Sequence, residues 1–315
     1  MEKFKDLVRE TTYYVVKKAK EVKINFQKIK ELAKKLKNLT FSSWPKKFHL
    51  QTNDVEKMLT YLIVLDSLNF CFWSKKEKWH IFYDGKKYDG YFALSLSFKK
   101  FFEENQEKAN FHYFSKISFK DFSSILNGDG ELLLLKERWK ILRAVSQVFI
   151  KKYKRVKDFI LSAHQKASVL VLKIFKELPF FNDFSYYSGK KIYFLKRAQI
   201  LVADIFGAFD GKGIGYFKDI DFLTAFSDYK LPQILHHFGI LNYSERLKKK
   251  IEKKVLINHN SKEEIEIRAS TIWAIEYLKE SLDKKIPSFY LDWYLWNKSQ
   301  KLKMKPHHLT KTIFY

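Results

Sequence analysis

Residues 131–153 read ELLLLKERWKILRAVSQVFIKKY, and residues 156–178 read VKDFILSAHQKASVLVLKIFKEL. Both are long, and apolar residues recur in them at the period of an amphipathic α-helix. Around them the chain holds only 10 Gly and 5 Pro in 315 residues, too few for a loop-rich or all-β protein. Long helices with short connections follow. Residues 190–209, KKIYFLKRAQILVADIFGAF, are apolar on nearly every face, which makes that segment a central helix.

The rest of the chain extends the pattern. Residues 3–38 read as one or two amphipathic basic helices. Asn53 or Asp54 caps a helix with Val55, Met58, Leu59, Leu62, Ile63 and Leu65 at helical spacing. Ser244 and Ser261 cap two more. Pro232 fits the first turn of a helix that Gly239 stops, and FYLDWYLWNKSQ (289–300) is the last patterned segment. In WHIFYDGKKYDGYF (79–92), aromatics flank two Asp-Gly pairs, the signal of a hairpin, expected to be the only strand pair. LPFFNDFSYYSG (178–189) reads as a loop, and the polar tail KMKPHHLTKTIFY as loosely docked. The fold class is therefore all-α, mostly helical, with one small β-hairpin. The Pro-containing loop at 42–47 is the best boundary. It divides N-terminal amphipathic helices (1–47), packed on the main body, from one integrated unit (48–315).

Composition bounds the function. Apolar residues make up 46% and aromatics 17%, enough for a large core. Lys and Arg number 60 against 35 Asp and Glu, a net charge of +25 that favours anionic partners. Only seven of the cations are arginine, however, and the lysines are spread as on solvated helix faces. One cysteine, Cys71, excludes an intrachain disulfide and fits a reducing compartment. With no signal-peptide pattern and no apolar run of membrane-spanning length, the expectation is a soluble, cytoplasmic protein.

Few motifs carry chemistry. The GxG in DGKGIGYF follows a helix rather than a strand, against a nucleotide loop. His236-His237 and His307-His308 are adjacent pairs, which do not share a helix face and make no zinc site. Two carboxylates in aromatic company remain: Asp228 in AFSDYKLPQ and Asp292 in YLDWYLWN. Singly, Asp228 reads as a helix cap and Asp292 as a surface residue. Together, with rings that stack on planar bases, they read as a nucleoside or nucleobase site.

These blocks resemble the queuosine salvage protein family, the queuosine 5′-phosphate N-glycosylases. The resemblance rests on SLNFCFW (67–73), FLKRAQILVADIF (194–206), DIDFLTAFSDYKLPQIL (219–235), EIEIRASTIWAIE (264–276) and LDWYLWN (291–297). It implies a fold similar to helix-hairpin-helix DNA glycosylases and hydrolysis of queuosine 5′-monophosphate to queuine and ribose 5-phosphate, without metal or organic cofactor. It implies Asp228 as the catalytic carboxylate, and His49, Phe226, Ser227, Asp292 and Trp293 at the base. Asn297 stands where the family has an aspartate. Lys196, Arg197 and Lys230 are the cations nearest these motifs and the candidates for the 5′-phosphate. A monomer, with no membrane and no obligate nucleic acid, is expected. The alternative is a non-catalytic nucleic-acid-binding module related to the helical DNA glycosylases.

Overall fold

The computed structural model describes residues 6–37, 44–282 and 284–315. Residues 3–5 and 38 of the expected N-terminal helices, and 42–43 of the expected boundary loop, lie outside them. Among the described residues the chain forms fourteen α-helices and three two-stranded antiparallel sheets, so helix dominates.

The helix Leu135–Lys152 forms as its periodicity requires. The second quoted stretch does not stay continuous. It divides into Val156–Leu161 and Ala167–Glu177, because His164 and Gln165 adopt positive φ and turn the chain. The Asp219 carboxylate then receives the first amides of the second helix, from Ala167 at 2.5 Å and Ser168 at 3.3 Å.

The hairpin His80–Tyr83 with Lys86–Asp89 forms as expected, but it is not the only strand pair. Phe184–Tyr187 pairs with Lys190–Tyr193 around Ser188 and Gly189, both at positive φ. The stretch read as a loop is thus half a hairpin, and the central helix starts later, at Lys196. Alternating aromatics around a Ser-Gly turn carried that signal. A third pair, Val22–Ile24 with Leu241–Tyr243, joins segments too far apart in sequence for any local pattern to reveal.

Two helices organise the core. Lys196–Ala208 packs against Val55–Ser67 and Ala167–Glu177, and most of its residues are buried, as a helix apolar all round must be. Lys262–Glu280 is flanked by Leu7–Lys18, Phe26–Leu36, Lys230–His237 and Ser288–Ser299. From the first of these flanking helices, Arg9 bonds Glu276 and the carbonyls of Asp221, Phe222 and Leu223.

The C-terminal tail is not loosely docked. Leu309 and Tyr315 are buried, Ile257 N donates to Leu309 O (2.8 Å), Trp73 Nε1 to Thr310 O (3.0 Å), and Cys71 N to Tyr315 O (2.9 Å). Backbone pairing, which a polarity count does not see, anchors it. No helix among the described residues is long and apolar enough to cross a membrane.

Candidate active site

Three segments converge on one pocket. The first follows the helix Val55–Ser67 and has no regular structure, so its carbonyls need partners. Buried cations supply them. Arg197 donates to Ser67 O, Lys196 Nζ to Asn69 O (2.9 Å), and Arg138 to Phe70 O. So held, the segment presents Asn69, Phe70 and Phe72 to the pocket. The second is the irregular run from Leu223 to Asp228. Thr224 N donates to Gln199 Oε1 (2.8 Å) and Phe226 N to Asp292 Oδ2 (2.6 Å). The third is the helix Ser288–Ser299, which contributes Asp292, Trp293, Trp296 and Asn297.

Asp228 lies just ahead of the helix Lys230–His237, half-buried on the pocket lining. Its Oδ1 accepts from the amides of Lys230 and Leu231, both at 2.8 Å, at the positive end of that helix. Oδ2 has no hydrogen-bond partner among the described residues and is not sealed from the pocket. The capping role and the exposed anion therefore coexist in one side chain. Burial pushes this carboxyl up from the ordinary range, while the Lys196 ammonium and the two amides pull it down.

Asp292 uses Oδ2 on Phe226 N and leaves Oδ1 unbonded on the pocket side. Burial first, then the charge of Asp228, drives its carboxyl well above the usual range. Lys196 reaches the pocket as a buried ammonium lowered to about 8 by desolvation and opposed by Asp228. Lys230 is half-buried on the lining, and among the described residues its ammonium has no hydrogen-bond or ion-pair partner. Lys78, its neighbour at the rim, donates to the exposed Asp89 (2.6 Å).

The lining thus gathers Phe226, Asp228, Asp292, Trp293, Asn297, Lys196 and Lys230. It does not gather the other three residues expected there. Arg197 is fully buried, with its guanidinium committed to the carbonyls of Ser67 and Phe180, so it is no phosphate ligand in this arrangement. His49 sits one layer back, stacked on Trp44 at 3.9 Å, with Nδ1 against Tyr61 (3.3 Å) and Nε2 unbonded. Desolvation holds it down to about 3, hence neutral. Ser227 is buried with an unpartnered hydroxyl, and its carbonyl receives Arg268 Nε (3.4 Å).

Sequence reasoning missed one wall of the pocket: Trp44, Tyr91, Phe92, Asp204 and Trp296. Asp204 accepts Trp44 Nε1 (3.1 Å) at Oδ1 and Tyr91 OH (2.9 Å) at Oδ2. Behind it lies Asp66, buried, with Oδ2 unbonded. Desolvation raises both carboxyls, Asp204 to about 7, and Asp66, which also faces the Asp204 charge, well above its ordinary range. Asp204, with two donors and the Lys196 charge lowering it, is the better placed of the two to carry charge.

Residues 48–315 match the family described as queuosine salvage protein. The chain belongs to this family. Relatives named queuosine 5′-phosphate N-glycosylase/hydrolase align with nearly its whole length. The protein of Sphaerobacter thermophilus is 39% identical over 97% of this chain and 96% of its own. That of Dictyostelium discoideum is 36% identical over 98% of each, and that of Mus musculus 30% identical, again over 98% of each. The family match begins one residue before His49, whereas these alignments take in the N-terminal helices as well.

Proposed function

We propose that this queuosine salvage protein hydrolyses the N-glycosidic bond of queuosine 5′-monophosphate, releasing queuine and ribose 5-phosphate. One observation carries the reading: Asp228 is fixed through Oδ1 by two helix amides and leaves Oδ2 bare in an aromatic pocket. As the bond from the sugar C1′ to the base breaks, its electron pair leaves with the base nitrogen and positive charge builds on the ribose. Oδ2 stabilises that charge and takes a proton from the attacking water. Water supplies hydroxide to C1′, and its proton passes to the base.

The base is a 7-deazaguanine, with carbon where guanine has N7, so protonation there cannot assist departure. Hydrogen bonds donated to the base must carry the developing negative charge, whereas an acceptor at its N1/N2 edge serves recognition. Asp292 Oδ1 faces the N1/N2 donors, Phe226 and Trp293 flank the ring, and Asn297 lies one helical turn beyond Asp292. His49 and Ser227 support these groups from behind. Lys230, whose ammonium is unpaired, and Lys78 at the rim take the phosphate. Lys196 opposes the effect of burial on Asp228 and so favours its ionised form.

The same reading makes the enzyme a cytoplasmic monomer. It calls on no metal, organic cofactor, membrane or bound nucleic acid, and its frame is akin to that of helix-hairpin-helix DNA glycosylases. A mostly helical body presenting an aspartate into an aromatic pocket supports that kinship.

The decisive experiment incubates purified protein with queuosine 5′-monophosphate and follows queuine by chromatography. Stoichiometric queuine and ribose 5-phosphate are expected. Salt-dependent RNA binding with no release of queuine would overturn the reading in favour of a nucleic-acid-binding module.

A further inference from the structure

Among the described residues, Asp204, Asp228 and Asp292 all line the pocket, and none has a cationic nitrogen within salt-bridge distance. An ionised carboxylate without a contacting counter-ion is costly, so each either holds a proton or meets an electron-poor group in the ligand. Two are accounted for above, Asp228 by the ribose cation and Asp292 by the donor edge of the base. Asp204 is left over.

Its surroundings say what it takes. Trp44 and Tyr91 each donate to one carboxylate oxygen, which fixes the group and still leaves a lone-pair site on both. Beside it, Tyr91 and Trp296 meet edge to face at 6.0 Å, and Phe92 and Trp296 at 5.3 Å. Ring faces around a carboxylate that no protein cation contacts, Lys196 acting on it only from beyond ion-pair distance, are the recognition chemistry of an organic ammonium. Resting on the queuosine 5′-monophosphate reading, we propose that Asp204, walled by Trp44, Tyr91 and Trp296, is the specificity-determining counter-ion for the protonated secondary amine on the 7-substituent of the base. The pocket and substrate then match group for group: three carboxylates for the donor edge, the ribose cation and the ammonium, and rim lysines for the phosphate. Asn297, on the same lining, is neutral and offers the amine no anion.

The test compares binding of queuine, which carries the amine, with binding of 7-deazaguanine, which does not. It uses calorimetry on the full chain and on Asp204→Asn. The wild type should prefer queuine by about tenfold or more, the worth of one charge-assisted bond, and Asp204→Asn should lose most of that preference. A loss shared equally by both bases would mean that Asp204 only holds Trp44 and Tyr91, and would overturn the proposal. So would an undiminished preference, or failure of the wild type to bind either base. Should Asp204→Asn fail to fold, Trp296→Leu, at a half-buried position, must also narrow the preference, and an unchanged ratio is the contrary result. Turnover of queuosine 5′-monophosphate by the wild type is measured alongside. Selective queuine binding without hydrolysis would remove the hydrolase reading and leave the ammonium site standing.

Discussion

Asparagine accepts helix amides about as well as aspartate, so Asp228→Asn keeps both bonds at Oδ1 and removes only the anion. Loss of such an electrostatic group costs on the order of a hundredfold or more in kcat. The melting temperature should hold or rise, because a buried carboxylate no longer has to be desolvated. Near-normal turnover by a folded Asp228→Asn protein would return this residue to a capping role. Lys196 supplies a second test, through pH. Its charge lowers the Asp228 carboxyl, which burial raises. The ionised form is the active one, so activity is lost as pH falls through that pKa. In Lys196→Met the pKa rises, and the acid limb of the kcat/KM profile should move to higher pH. A limb that stays in place would exclude Lys196 as the partner. At this scale, Asp228 and Asp292 were legible because each is an acid among aromatic rings, the first ahead of a helix and the second on one. Asp204 lay inside the apolar stretch 190–209, and its only signal was a lone carboxylate on a helix with no wet face.

Local chemistry made most elements readable. Asp54, Ser244 and Ser261 cap their helices through side-chain oxygens, and Gly239 stops one at φ +71. What local pattern could not supply was the segment at 68–73, whose shape is imposed from outside by Arg138, Arg197 and Lys196. Their arginine and lysine codes read as charge, whereas in the fold they are clamps for carbonyls. Arg197→Met should therefore act on stability. The buried carbonyl of Ser67 loses its donor, at about 1–3 kcal/mol, and the part-buried one of Phe180 loses its donor at less, partly offset because a guanidinium need no longer be buried. Thermal melting will show a lowered midpoint. The ratio of kcat/KM for the nucleotide to that for the nucleoside should stay as in the wild type, since Arg197 does not reach the pocket. A collapse of that ratio in a folded variant would put the guanidinium back on the phosphate.

Across the molecule, the site depends on segments from the whole chain: Trp44 near one end, Tyr315 at the other, and between them the hairpin rim, two loops and the helix Ser288–Ser299. The N-terminal helix takes part indirectly, through Arg9 on the carbonyls that precede the Asp228 segment. The chain carries a net charge of +25, and Lys78 and Lys230 lie on the pocket lining. Such a field draws in a phosphate-bearing substrate from beyond contact distance, and salt weakens it as the Debye length falls from about 10 Å at about 0.1 M to about 3 Å at about 1 M. Queuosine 5′-monophosphate carries a dianionic phosphate and one ammonium, and is a net anion. The nucleoside lacks the phosphate and is a net cation. The two should respond to salt with opposite signs. Raising KCl from low to high concentration at constant pH should lower kcat/KM for the nucleotide several-fold, with kcat little changed because bound substrate is shielded by the pocket. For the nucleoside, kcat/KM should hold or rise. Parallel declines for both substrates would mean that salt perturbs the enzyme rather than its field, and the lysine-rich surface would have no part in capture.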